Sequence, residues 1–309
     1  MFCAPLPGGT EKLPMDHPKV SIIILNWNGL GDTIECLEAL RKVTYPNYRV
    51  IVVDNGSKGD DVRVLREGYA DYVHIIENGR NCGFAEGSNI GMRYALDNFA
   101  PDYCLLLNND VVVDPGFLTE MVRVAETDGR VGFVGPAVYD HYEPATSGRL
   151  DAGVRIDWWR GTTPRLRLAS GGSSGHRVRE VDSVQGCCML ARKELLEHVG
   201  LLDQEYFAYW EETDWCVRGK HAGYRVCCAL NSRIWHKGPH SYTDTFKLYY
   251  FLRNNILFMR KNADAGHLGV FLIYFLCVSL LMYSLKPFLV HPLKTVGAVS
   301  RALLWNLRR

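Results

Sequence analysis

The sequence predicts an α/β fold built on a largely parallel sheet, followed by a separate, greasy helical segment. Two observations carry the first part: apolar runs of strand length alternate with helix-like patterns through the first 110 residues, and the runs end in Asn, Asp or Gly turns. The third is an uncharged apolar stretch near the C-terminus. The whole chain has 309 residues, 47% hydrophobic and 22% charged, which excludes wholesale disorder and fits one large domain or two halves sharing a core.

Residues 20–25 (VSIIIL) form a continuous apolar run, as a strand buried on both faces requires. The turn NWNG at 26–29 follows. Asp32, with Glu35 three residues on, reads as a capping box opening a helix to about Val43. A second strand at 50–53 ends in DNGS, a charged helix covers 61–69, and a third strand covers 72–76 before an Asn78–Gly79 turn. Ile90, Gly91, Tyr94 and Ala95 mark one face of the next helix, and a fourth strand at 103–107 runs into NND at 108–110. Right-handed crossovers put the carboxyl ends of such strands on one edge, where ligands bind. Asn26, Asp54, Asn81 and Asp110 should therefore line one crevice. Turn preference accounts for any one of them, less readily for all four.

Beyond Asp110, the pattern predicts a helix at 117–126 and a strand at 132–138. Residues 160–179 are rich in Gly, Ser and Arg without a clear period, and read as a mobile loop or a long surface connection. A helix follows at 193–199. The aromatic run FAYW at 207–210 leads into EETD at 211–214, a helix stopped by Gly223, and a strand at 224–230. Trp235, His236, Lys237 and Gly238 fall in a loop.

Lys plus Arg (35) and Asp plus Glu (34) nearly cancel at +1, which disfavours a generally basic nucleic-acid binder. The balance is uneven. Residues 244–309 hold nine basic and two acidic residues, net +7; the preceding chain holds 26 and 32, net −6. Ten cysteines form no CxxC pair and read as reduced, buried thiols of a cytosolic compartment. Residues 1–19 read as a tail without a secretory signal.

Several residue sets carry chemistry. Asp110, after two Asn at a strand end, suits a hard divalent cation such as Mg²⁺ or Mn²⁺. In NCGFAEGSNIG at 81–91 the glycines recur every four residues, allowing close approach of another backbone or of a nucleotide, or simply tight helix–sheet packing. This is no GxGxxG loop, so a nicotinamide site is disfavoured. Glu211, Glu212 and Asp214 crowd a helix start, where they should be ionised and one could accept a proton; simple capping is the alternative. His236 is either structural or a ligand, with His240 a possible competitor.

Taken together, VVDNGS at 52–57, the 81–91 stretch, LNND at 107–110 and WEETD at 210–214 resemble the inverting family 2 glycosyltransferases of the GT-A fold, most of all their rhamnosyltransferase-like branch. The resemblance covers about residues 20–240. It implies a GT-A fold with a mainly parallel, Rossmann-like sheet and flanking helices, a nucleotide-sugar-binding half at 20–115 and an acceptor-binding, catalytic half at 116–243. Asp54 would contact base or ribose; Asn81, Gly83 and Asn89 would line the donor pocket, with Asn26, Asn28 and Asn109 from the neighbouring turns. Asp110 would be the last Asp of a DxD motif holding Mg²⁺ or Mn²⁺, with His236 completing the metal site. Glu212 would be the catalytic base, with Glu211 or Asp214 as alternatives. The sequence departs from the family pattern at Asn108, where DxD begins with Asp, and at Glu212, where the base is usually Asp. The donor would be dTDP-rhamnose or a UDP-sugar, and the acceptor a glycan or lipid-linked glycan. The absence of QxxRW argues against processive synthesis. A nucleotidyltransferase and a non-catalytic glycan-binding scaffold are the rivals.

Residues 268–285 contain 18 residues without a charge, flanked by Lys and Arg on both sides. With Pro287 and Pro292 breaking the chain after it, the 244–309 segment reads as an interfacial anchor, a spanning helix, or a buried dimer or core helix. The first two place the chain at the cytoplasmic face of a membrane.

Overall fold

The computed structural model describes residues 17–140, 149–169, 178–238 and 244–308; His240, residues 1–16 of the tail and residues 170–177 of the Gly/Ser stretch lie outside them. The first half alternates as expected: β1 (Val20–Asn26), α1 (Leu30–Leu40), β2 (Tyr48–Asp54), α2 (Asp61–Tyr69), β3 (Val73–Glu77), α3 (Gly83–Phe99) and β4 (Tyr103–Asn108). All its pairings are parallel, with Asn26 opposite Asp54 and Leu25 opposite Asn108. Then come β5 (Val111–Val113), α4 (Phe117–Ala125), β6 (Val131–Asp140), β7 (Arg149–Val154), β8 (Arg165–Ala169), β9 (Val178–Glu180), β10 (Cys188–Arg192), α5 (Lys193–Val199), a 3-10 turn (Gln204–Tyr206), α6 (Glu211–His221) and β11 (Arg225–His236).

The main sheet runs β3-β2-β1-β4-β10-β6-β11-β5, so both halves share it. β10 lies antiparallel between β4 and β6. Its first residues therefore sit at the edge where β1, β2 and β4 end, which lets the second half reach the crevice. Alternate side chains of β1 enter opposite cores. Ile22 and Ile24 join Leu37, Leu40, Phe117 and Met121, whereas Ile23 joins Met92, Phe133, Leu195 and Trp215. Two-sided burial is the reason for the unbroken apolar run.

The glycine repeat seats α3. A Cβ on Gly91 would lie 2.5 Å from Ile23, and one on Gly87 would lie 2.4 Å from Leu25. Gly83 has φ +82°, and a Cβ there would come within 2.5 Å of the Phe207 carbonyl oxygen, which accepts from the Phe84 and Ala85 N–H groups at 2.6 and 3.2 Å. Gly83→Ala is expected to cost about 1–3 kcal/mol of stability, read by urea denaturation.

The structure corrects several local expectations. α1 begins after Gly29 with no side-chain cap. Asp32 and Glu35 instead both accept from the Lys237 ammonium, 2.7 Å from Asp32. A charge 200 residues away binds them more strongly than their own helix N–H groups do. The stretch read as an irregular loop holds β8 and β9. In β8, Leu166 and Leu168 pack on the core while Arg165 and Arg167 lie within 2.9 and 3.6 Å of Asp151, a period-2 pattern short enough to miss. β11 continues through a bulge between Ala229 and Arg233, so Trp235 and His236 belong to a strand. Among the described residues seven cysteines are buried, Cys82 is half-buried and Cys277 is exposed.

The C-terminal segment is helical: α7 (Asp244–Asn262), α8 (Ala265–Tyr274), a π-helical turn (Phe275–Ser279), α9 (Leu280–Val290) and α10 (Pro292–Leu307). Leu252, Ile256, Phe258, Phe271, Phe275, Ala298 and Ala302 join Tyr206, Trp210 and Val217 in a third core. Pro287 lies inside α9 and Pro292 opens α10, so the chain turns at His291 rather than at either proline. One helix among the described residues, Ala265–Val290 (26 residues, mean hydropathy 2.3), is long and apolar enough to cross a membrane by length and composition.

Candidate active site

The register sets the site's lateral order. Asp54 (β2), Asn26 (β1) and Asn108 (β4) end adjacent strands, so Asp54 and Asn108 stand about 10 Å apart. Asn26 is fully buried. Its Nδ2 donates to Asp54 Oδ1, Asp61 Oδ2 (both 3.0 Å) and Ser57 Oγ (3.1 Å), while Thr33 Oγ1 donates to its Oδ1 at 2.9 Å. Asp54 also accepts from the Gly56 and Ser57 N–H groups. Asn26 is thus a hub that shapes the rim, and Asp54 fixes the 55–57 turn. Asn28, exposed at φ +52°, accepts from Lys58 N at 2.7 Å and donates its own N–H to Ser57 Oγ. Asn109 donates to Thr33 Oγ1 (3.0 Å) and the Gly29 carbonyl (3.3 Å), tying β4 to the first turn.

On the far side of Asp54, Asn81 Oδ1 accepts from Gly83 N (2.8 Å) and from Asn55 Nδ2 (3.1 Å). Asn55, not anticipated from sequence, also accepts from Cys82 N and Asn78 Nδ2 and donates to the Gly83 carbonyl. Its only sequence signal is the Asn-Gly turn dipeptide. Asn89 departs from expectation. Buried on α3, it grips the Leu202 peptide with both ends of its amide, at 2.8 and 3.1 Å, and fastens the helix to the second half.

The strongest cluster is at the end of β4. Asp110 Oδ1 lies 3.3 Å from His236 Nε2. Neither atom makes a hydrogen bond, nor does Asn108 Oδ1, and all three are buried. Desolvated lone pairs without donors at one strand end are costly unless a cation takes them. The carboxylate and amide oxygens match the preferences of Mg²⁺ or Mn²⁺, and the imidazole favours the transition metal Mn²⁺ of the two, with remaining positions open to water or phosphate. Lys237, held by Asp32 and Glu35, donates its backbone N–H to the Asp110 carbonyl at 3.1 Å and so fixes β11 beside this cluster.

Glu212 approaches from α6. A Cβ on Gly186, just before β10, would lie 3.4 Å from its Cγ. Burial, then Asp110, and to a smaller extent Glu212 push the Cys187 thiol up to about 12, so both carboxylates act on one point of the rim. Glu211 and Glu212 are not the readily ionised groups that a helix start suggests. Burial raises Glu211 well above the usual carboxyl range, with the Glu212 charge adding to it. Burial also raises Glu212, opposed by backbone N–H groups, the Thr213 hydroxyl and Arg165. Desolvation outweighs the helix dipole here. Asp214 is excluded as a free base: its oxygens are held by Tyr206 Oη (3.1 Å), Asn262 Nδ2 (2.9 Å) and Arg218 Nε (2.8 Å).

The chain leading into Glu211 is strained. Phe207, Tyr209 and Trp210 all have positive φ, at 63°, 70° and 78°. Asn254 Nδ2 on α7 donates to the carbonyls of Tyr206, Ala208 and Tyr209 at 2.7–2.8 Å, and Arg253 Nη2 donates to those of Glu205 and Tyr206. The sequence YYFLRNN at 249–255 reads as a segment that packs on the catalytic domain and leads into the C-terminal apolar stretch, and Arg253 and Asn254 do pack there; nothing in the sequence marks them as a backbone clamp.

A sheet with an antiparallel insertion, acidic and amide groups along one edge, and a carboxylate delivered from the second half defines a GT-A-type transferase site. The family model described as glycosyl transferase family 2 matches residues 21–200, and the chain belongs to that family. It is 25% identical over 249 residues to a hexosyltransferase of low-salt glycan biosynthesis from Haloferax volcanii (77% of this chain, 74% of that one). It is 29% identical over 234 residues to a dTDP-rhamnosyl transferase from Shigella flexneri (70% and 72%). Among solved structures it resembles a mannosyltransferase from Pyrobaculum calidifontis in complex with GDP-Man and Mn²⁺, with a TM-score of 0.60, 15% identity and coverage of 94% of this chain and 88% of that one. The chain is therefore a GT-A glycosyltransferase using a nucleotide-sugar donor, and the nucleotidyltransferase and scaffold alternatives give way to this assignment.

Proposed function

We propose that this enzyme transfers one sugar, with inversion, from a nucleotide donor to a hydroxyl of a glycan or lipid-linked glycan, and that it needs Mg²⁺ or Mn²⁺. The observation that carries this is the trio of donor-less buried atoms on Asn108, Asp110 and His236, facing the same rim as Glu212. Asp110 and His236, with Asn108, would hold the cation, which would offset charge building on the departing diphosphate. The rim from Asp54 to Asn108, with Asn28, Asn81 and Gly83 in its turns, would take nucleoside and diphosphate side by side. Glu212 takes the proton from the acceptor hydroxyl as its oxygen bonds to the anomeric carbon. The bond to the diphosphate breaks on the opposite face, and the single displacement inverts the centre. The Shigella relative supports dTDP-rhamnose as donor, with UDP-sugars the next candidates. A membrane-surface position at the cytoplasmic face, by way of the C-terminal helices, suits a lipid-linked acceptor; a homodimer through the same helices is the competing use.

Thermal shift with a panel of nucleotide sugars, with and without Mn²⁺, tests the reading. dTDP-rhamnose or a UDP-sugar should raise the Tm in the presence of Mn²⁺ and much less after chelation. Equal shifts with and without the cation would overturn the metal requirement.

A further inference from the structure

We infer that the turn between α9 and α10 is a re-entrant tip that dips into one leaflet of an anionic bilayer and does not span it. This deepens the membrane-surface reading above and rests on it, not on the transfer chemistry. Sixteen large apolar side chains are exposed among the described residues, and fifteen of them lie within 270–307. The remaining one, Trp159, stands at the β7–β8 turn with its ring 4.2 Å from that of His267 on α8. So large an apolar surface in one place marks an interaction site, and a Trp at its rim suits the boundary between headgroups and acyl chains.

The path of the chain sets the depth. Phe271, Phe275 and Ser279 are buried against the body, and so are Thr295, Ala298, Ala302 and Asn306 on α10. No residue in 280–294 is buried. The far end of α10 is pinned to α7: Arg260 Nη1 donates to the Asn306 carbonyl at 2.7 Å, and Asn306 Nδ2 donates to the Arg253 carbonyl at 3.1 Å. The chain therefore leaves the body after Tyr283, whose ring lies 4.8 Å from that of Phe251 on α7, and has returned by Thr295. The outgoing arm, the part of α9 beyond Tyr283 up to Val290, is about 10 Å long, roughly a third of a hydrocarbon core. Although Ala265–Val290 is long enough to cross, one face of its first half, Phe271, Phe275 and Ser279, packs on the body and its second half is followed by a helix folded back on the body.

Charge chooses the occupant. Residues 265–309 contain five Lys or Arg and no Asp or Glu. Leu289 (75% exposed) and Leu293 (89% exposed) crown the tip, with Lys286 and Lys294 exposed on either side. Such lysines bury their stems and return their ammonium groups to lipid phosphates.

The test is flotation of the full chain with phosphatidylcholine vesicles, with and without phosphatidylglycerol. Binding should need phosphatidylglycerol and weaken with salt. The pair Leu289→Asp and Leu293→Asp should lower partitioning about tenfold or more, with far-UV circular dichroism and Tm unchanged. A bimane on Leu289→Cys, with Cys3, Cys82 and Cys277 replaced by Ser, should be quenched by shallow lipid-borne quenchers and not by iodide trapped inside the vesicles. Quenching by internal iodide would establish a spanning helix and overturn the inference. So would a stable dimer, abolished by the Asp pair, in a chain that floats with neither vesicle. None of these readouts needs donor or turnover, so a failure here is distinct from a failure of the transfer reading.

Discussion

Glu212→Gln should bind donor as the parent does and lose transfer by about 10²–10⁴-fold. The amide keeps the size and the Thr213 hydroxyl contact (3.1 Å) but cannot take a proton. The measurement is single-turnover transfer at saturating donor, paired with donor thermal shift. Loss of both would make Glu212 a donor-binding or folding residue. The pH profile gives an independent signature. Because burial holds the Glu212 carboxyl above its ordinary range, a larger fraction is protonated and idle in weak acid. In the parent, kcat should therefore climb with pH through a midpoint above the ~4.3 of a free Glu, and that limb should vanish in Glu212→Gln. Glu211→Gln should leave the limb in place if Glu212 is the proton acceptor.

Asp110→Ala should abolish the Mn²⁺-dependent part of donor stabilisation and lower kcat/KM by about 10²–10³-fold, while leaving the fold intact. Among the described residues its side chain makes no hydrogen bond through Oδ1 and no ion pair beyond His236. Removing it relieves a desolvated carboxylate rather than opening a packed core. Isothermal titration with Mn²⁺ in the presence of the nucleoside diphosphate checks the metal, and urea denaturation checks the fold. Undiminished Mn²⁺ affinity in Asp110→Ala would remove the cation from the β4 end.

The first four strands and three helices were legible because two-sided burial writes itself as unbroken apolar runs such as 20–25. The shared rim followed from parallel topology alone. Glu212 and His236 were legible only through motif resemblance, since their strands and helix return to the rim from more than 100 residues away. Two candidate site residues have structural ties that the sequence hid for one reason. Asn89 and Asp214 find their partners, the Leu202 peptide and Asn262, in distant segments that no local pattern reveals. Asp32 and Glu35 imitate a helix cap, yet answer to Lys237. The ionisation of Glu211 and Glu212 was misjudged because burial depth, unlike position on a helix, is not written in sequence.

The Arg253–Asn254 clamp joins two regions otherwise separate in the chain. Through five hydrogen bonds to four carbonyls it stitches the contorted stretch below the glutamates to the same helix on which α10 closes. A protein shortened before α7 would keep every motif of its family and lose the brace that aims them. The C-terminal module is thus a keystone of the architecture around Glu211 and Glu212, and a force arriving at the α9–α10 turn has a covalent and hydrogen-bonded route to them.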